Sequence, residues 1–276
     1  MDILDGAQPR RWTVDSASPA GGQVTIAGWY FGGEGPVALL HHANGMCGAL
    51  WAPVARELAK TYTVFAVDAR GHGDSDKLTV PDDYAWQYFV DDLRQVAEQV
   101  LRETGETVVA LGLGSSFGGI ITAAAAAAPT NLFKQVVMLD PPIHPDPATL
   151  EFLGRENNIT RTDERAGLVA QTLKRRAVWP SRSAARQAWA DKPLFASWCD
   201  AAFDLYINEG MRDIAEGEVA LKCSPQVEAH IFQTTGSLLP QDYAPHVEVP
   251  VHLVHARLGF FDADWLNTVA NMFPQG

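Results

Sequence analysis

Residues Thr107-Val108-Val109-Ala110-Leu111-Gly112-Leu113 run through Gly114-Ser115-Ser116-Phe117-Gly118-Gly119 into Ile120-Ile121-Thr122 and six alanines ending at Pro129. The apolar run predicts a buried strand, and the small residues after the turn predict a helix packed closely against a sheet. Between them Gly114, Ser116 and Gly118 meet the spacing Gly-x-Ser-x-Gly. A serine on a sharp strand-to-helix turn has a strained backbone, so the positions two before and two after it must be small. That spacing selects Ser116 over Ser115 as the exposed hydroxyl. A plain turn whose serines cap the helix is the competing reading. A phosphate loop would need Gly-Lys-Ser/Thr or a dinucleotide fingerprint, and neither is present.

Strands and helices alternate on both sides of this turn. Arg11–Asp15 and Gln23–Tyr30 alternate apolar with polar or small residues around Gly21-Gly22, which predicts a hairpin. Val37–His42 and Tyr62–Asp68 read as strands buried on both faces, with a helix from about Ala49 to Lys60 between them. Asp82 or Asp83 is placed to cap a long amphipathic helix through Trp86, Phe89, Leu93, Val96 and Val100. Gln135–Leu139 and Val249–His255 supply the fourth and fifth buried strands. This order predicts an α/β fold with a mostly parallel sheet and helices on both faces. Residues 144–245 instead show helical spacing, many charges and little strand character. They read as a helical cap inserted after the strand ending at Asp140, between core parts at 1–143 and 246–276.

Composition limits the function. The chain has 276 residues, 47% hydrophobic and 20% charged, the balance of an ordinary globular protein. A net charge of −12 repels phosphate backbones and anionic membrane surfaces, so no nucleic-acid or membrane partner is expected. Cys47, Cys199 and Cys223 lie far apart without a CxxC pair, which favours free thiols in a reducing cytosol over a metal cluster or disulfide framework. Met1-Asp2-Ile3-Leu4-Asp5 is acidic where an export signal is basic, and no run approaches the ~20 apolar residues of a membrane span. A cytoplasmic protein is expected.

Two further turns carry polar chemistry. His41-His42-Ala43-Asn44-Gly45-Met46 ends the strand expected beside that of Ser116. Acyl transfer needs backbone N–H donors aimed at the developing oxyanion, and the amides of Phe117 and of the segment at Asn44 are the candidates. His41 and His42 read as residues that fix the loop, not as a general base. Asp68-Ala69-Arg70-Gly71-His72-Gly73-Asp74-Ser75 reads as a turn whose side chains hold loop geometry.

These three pieces, in this order, resemble the α/β-hydrolase superfamily over Val37–Pro142 and again over Val249–Phe273. They look like the esterase, lactonase and C–C hydrolase branch with a helical cap; dehalogenase and epoxide hydrolase branches are expected to carry an aspartate where Ser116 stands. The resemblance implies hydrolysis of a small, largely apolar ester, lactone or related carbonyl substrate through a serine acyl-enzyme, with no metal or organic cofactor. It also implies a nucleophile–acid–histidine order. Asp140 is the favoured acid, with Asp262 and Asp264 as alternatives. Similar proteins carry the histidine after a further strand and before a last helix, but no histidine follows His255. His144 is the substitute base at the start of the cap, and His230 a second one within it. The expectation is a truncated product, a lineage without turnover, or a base supplied by a second chain. A missing edge strand would expose apolar surface and favour a homodimer. The competing reading is a catalytically impaired member that binds a small hydrophobic ligand or a partner. The cap's Trp179, Trp189, Phe195, Trp198, Phe203, Tyr206 and Phe232 are expected to form its own core and in part to line a pocket. Lys174-Arg175-Arg176, Arg182 and Arg186 read as a solvated basic face or, less readily, a site for an acidic substrate tail.

Overall fold

The alternating residues of Gln8–Asp15 (β1) and Gln23–Tyr30 (β2) pair antiparallel along their full length. Continuous apolar runs give strands Val37–His41 (β3), Thr63–Val67 (β4), Leu111–Ser115 (β5) and Val136–Leu139 (β6). The computed structural model describes residues 3–127, 129, 131–143, 147–152, 162–214, 217–257 and 263–276. With Val251–Val254 (β10) the strands form one seven-stranded sheet in the order β1-β2-β4-β3-β5-β6-β10. From β4 to β10 every pairing is parallel.

Each face of the sheet is covered. Trp86–Thr104 (α2), Phe117–Ala126 (α3) and Ala263–Ala270 (α10) bury their apolar residues with Leu39, Phe65 and Val67 on one face. Ala52–Leu58 (α1) and the 3₁₀ turn before it pack on Leu40, Val64, Leu111 and Leu113 on the other. The alanine-rich α3 is buried on all sides. A side chain at Gly119 would bring a Cβ within 3.1 Å of the Gly114 carbonyl, so small residues let this helix lie directly on the sheet. Helix α2 begins at Trp86 with Ala85 as its cap; Asp82 and Asp83 lie in a 3₁₀ turn ahead of it. The Asp83 carboxylate instead accepts from the Ala20 amide, so the expected acidic cap is replaced by a tie to the loop between β1 and β2.

Between β6 and β10 lie the helices Pro147–Phe152 (α4), Thr162–Leu173 (α5), Arg182–Trp189 (α6), Asp200–Glu209 (α7), Pro225–Gln233 (α8) and Pro240–Tyr243 (α9). This insert also holds an antiparallel sheet of Val178–Trp179 (β7), Met211–Asp213 (β8) and Val219–Leu221 (β9), in the order β7-β9-β8. The sequence shows little strand character here because strands of two or three residues are too short to display alternation. Trp179, Trp189, Phe195, Phe203 and Tyr206 pack on one another and on Met46 and Leu50 of the core, so they wedge the insert onto the loop after β3. The basic stretch is engaged by neighbours: Arg182 pairs with Asp213, Arg186 with Asp200 and Asp204, and Arg176 lies over the Trp179 ring. No helix is long and apolar enough to cross a membrane among the described residues.

One buried ion pair ties the loop after β4 to the helical layer. Arg70, 1% exposed, donates from Nε and Nη2 to both oxygens of Asp92 on α2, at 2.7 and 2.6 Å. Its Nη1 donates to the Asp83 carbonyl. Removing one partner leaves the other charge buried and unpaired, which costs more than the pair itself contributes. Arg70→Ala is expected to lower unfolding free energy in urea by about 3–5 kcal/mol, whereas Arg70→Met with Asp92→Leu should recover most of that loss.

Candidate active site

The parallel strands end on one edge of the sheet, and register brings His41 of β3 beside Gly114 of β5, and Ser115 of β5 beside Leu139 of β6. Ligands of open α/β sheets bind along this carboxyl edge. Ser116 sits there between β5 and α3 with φ 53° and ψ −121°, in the positive-φ region where a side chain is strained. Three hydrogen bonds hold it: its amide donates to the Leu139 carbonyl at 2.8 Å, and its carbonyl accepts from Gly119 and Ile120. The flanking glycines are sterically required. A Cβ at Gly114 would lie 2.2 Å from the Gly118 carbonyl oxygen, and one at Gly118 would lie 2.4 and 2.5 Å from the carbonyls of His41 and His42.

Phe117 starts α3 with its ring buried against His41, Trp86 and Phe89. Its amide donates to no described residue, and the same holds for the amide of Asn44. The Asn44 side chain is committed elsewhere, Nδ2 donating to the Glu228 carbonyl at 2.9 Å. Both amides are thus without a partner among the described residues, one in the loop after β3 and one in the turn after the adjoining strand β5.

The three histidines beside this turn are held by backbone groups. His42 Nε2 accepts from the Ala69 amide at 2.9 Å, so its Nδ1–H donates to the Ala43 carbonyl. His72 Nε2 accepts from the Gly45 amide at 3.1 Å, and its Nδ1 donates to the Arg70 carbonyl. His41 Nδ1 donates to the His42 carbonyl. Burial holds all three neutral: His41 falls to about 3, His42 to about 4, and His72 well below its ordinary value. Asp68 fixes the next turn, its carboxylate accepting from the Gly48 and Asp74 amides while burial pushes its pKa up. Among the described residues no side chain hydrogen-bonds the Ser116 hydroxyl, and no group of three His, Cys, Asp or Glu is placed to hold a metal ion.

Asp140 follows β6 with φ 46° and is exposed. Its carboxylate accepts from the Ala256 amide at 3.2 Å and its own amide donates to Val254, which ties the end of β6 to the loop after β10. Asp264 is exposed in the first turn of α10, and His230 is half-buried on α8. Asp262 and His144 lie outside the described residues. Glu228 and Arg175, which the sequence reading did not single out for this loop, form an ion pair against it. Burial raises the Glu228 carboxyl, and Arg175 opposes that rise.

A sequence profile for the alpha/beta hydrolase fold matches residues 36–176. The chain belongs to the α/β-hydrolase family. It is 33% identical over 115 residues to a pimeloyl-[acyl-carrier protein] methyl ester esterase of Aliivibrio salmonicida, covering 41% of this chain and 40% of that protein. A 2-(acetamidomethylene)succinate hydrolase of Mesorhizobium japonicum is 32% identical over 108 residues, 39% of this chain and 36% of that one. The matched stretch thus spans well under half the length of these relatives. A crystal structure of an E-2-(acetamidomethylene)succinate hydrolase superposes over 97% of this chain and 88% of its own with a TM-score of 0.74 at 21% identity. The thioesterase domain of a curacin biosynthetic pathway gives a TM-score of 0.67 at 17% identity, covering 97% and 90%. These structures share the fold of this α/β-hydrolase family chain.

Gly118→Ala should destabilise the chain by about 1–3 kcal/mol, because the carbonyls it meets are backbone and cannot turn away; a denaturation midpoint equal to that of the parent would contradict the tight turn. The histidines give a pH signature. Their folded pKa values lie below the unfolded 6.5, so on acidification the unfolded chain takes up protons first. Stability from this source is complete above about pH 6.5 and falls towards pH 4, by about 3 kcal/mol for His42. The buried carboxyls of Asp68, Asp92 and Glu228 are shifted upward and act in the opposite sense. Unfolding measured from pH 7 to 4.5 isolates the imidazole: His42→Asn should show a slope shallower than the parent by up to about 1.4 kcal/mol per pH unit.

Proposed function

We propose that this chain is a serine hydrolase that cleaves a small, largely apolar ester, lactone or related carbonyl compound through an acyl-enzyme at Ser116. The backbone of Ser116 carries this reading: a serine kept at positive φ between two glycines that admit no Cβ has no packing advantage, but its hydroxyl is presented at the edge of the sheet. The hydroxyl attacks the substrate carbonyl, the oxyanion forms against the amides of Asn44 and Phe117, and collapse expels the alcohol. Water then releases the acid. The scheme needs an imidazole to take the serine proton and an aspartate to orient it. No histidine follows His255, so His144 or His230 is the substitute candidate for the base, and Asp140, Asp262 and Asp264 are the candidate acids. No metal or organic cofactor takes part. The methyl ester esterase among the relatives supports an ester substrate.

One observation favours a second reading, a family member that binds a small hydrophobic ligand without turnover: no described imidazole hydrogen-bonds the Ser116 hydroxyl, and those of His41, His42 and His72 are bound to backbone groups. Intact-mass measurement after incubation with a fluorophosphonate, and separately with a short p-nitrophenyl ester, separates the two. The enzyme reading predicts one adduct, absent in Ser116→Ala. A folded protein that gains no adduct would leave the binding reading.

A further inference from the structure

The insert reaches the loop after β3 through three side chains that the reaction scheme leaves unused. Arg175, between α5 and β7, donates from Nη1 to the Glu228 carboxylate on α8 and from Nη2 to the Tyr206 hydroxyl on α7, the latter at 3.0 Å. That hydroxyl donates to the Gly45 carbonyl, 3.4 Å away. The Glu228 backbone carbonyl accepts from Asn44 Nδ2, and its carboxylate lies so close that a Cβ at position 45 would come within 2.8 Å of it. Gly45 itself has φ 76°, so the loop turns where only glycine is unstrained, and a Cβ there would have to displace the carboxylate. From the core the loop receives the bond between the Gly45 amide and His72.

A buried ion pair is a weak source of stability, since desolvation offsets the attraction between its members; its most general effect is to fix geometry. Here the pair is joined to a tyrosine, and the linked groups meet the segment whose amide is a candidate oxyanion donor. An oxyanion donor acts only when held within about half an ångström of the productive position. We propose that Arg175, Glu228 and Tyr206 are positioning residues that clamp Asn44 and Gly45 onto the insert, so that the oxyanion site at Ser116 is complete only while the insert is docked. The catalytic consequence rests on the acyl-enzyme reading above; the clamp itself does not.

Hydrogen–deuterium exchange of the full chain, read on the peptide spanning residues 42–50, tests it. Tyr206→Phe deletes the hydroxyl alone, and Arg175→Met with Glu228→Gln removes both charges together. Each should speed exchange of the 43–47 amides by roughly fivefold or more while the amides of β5 and β6 keep their protection. Fluorophosphonate labelling of Ser116 should slow in parallel. Unchanged exchange at 43–47 in both Tyr206→Phe and the double variant would overturn the clamp, as would acceleration spread evenly over the whole chain. A parent that takes up no fluorophosphonate would overturn the Ser116 reading instead, and the exchange data would still decide the clamp.

Discussion

The close approach of the first turn of α3 to the ends of β3 and β5 is the constraint on which the site depends. A helix that starts against the carbonyls of His41 and His42 admits no side chain at position 118, and the turn that feeds it admits none at 114. The chain makes this approach with Ser116 at positive φ. That conformation costs on the order of 1–3 kcal/mol and persists only where the surroundings over-determine it. They do so through the Leu139 carbonyl on one side and the buried Phe117 ring on the other.

The loops around this turn are fixed by a different set of contacts. The carboxyl edge of the sheet is lined by buried polar groups, each tied to backbone. His42 and His72 hold the loops after β3 and β4 together, Asp68 accepts two amides, and Arg70 anchors the second loop to α2. Buried polar groups of this kind stabilise only when fully satisfied, because each lost partner leaves a desolvated charge or lone pair. Neutral histidines suit the place: their acceptor nitrogens would vanish on protonation. The insert adds its own layer through an aromatic core seated on Met46 and Leu50.

Much of this architecture is legible in the chain itself. The apolar runs mark β3 to β6, the Gly-Gly pair marks the hairpin, and the alanines after Ile121 mark a helix that must lie against the sheet. What sequence does not display is contact at long range. Asn44 meets Glu228 across 184 positions, and Gly45 meets Tyr206 across 161, so no local pattern announces the ion pair above the loop. The short strands of the insert are held by neighbours rather than by propensity, which leaves no period to read. Asp140 shows the same limit on a smaller scale: the end of β6 is evident from sequence, but the direction of its carboxylate depends on the loop after β10.

The central claim is that a strained serine and two amides on neighbouring loops form one oxyanion-binding site. A crystal structure of the phosphonylated chain tests it most directly. The account predicts phosphorus bonded to Ser116 Oγ, with the phosphoryl oxygen about 3 Å from the amides of Asn44 and Phe117. A phosphoryl oxygen turned to solvent, or phosphorus on any other side chain, would contradict it.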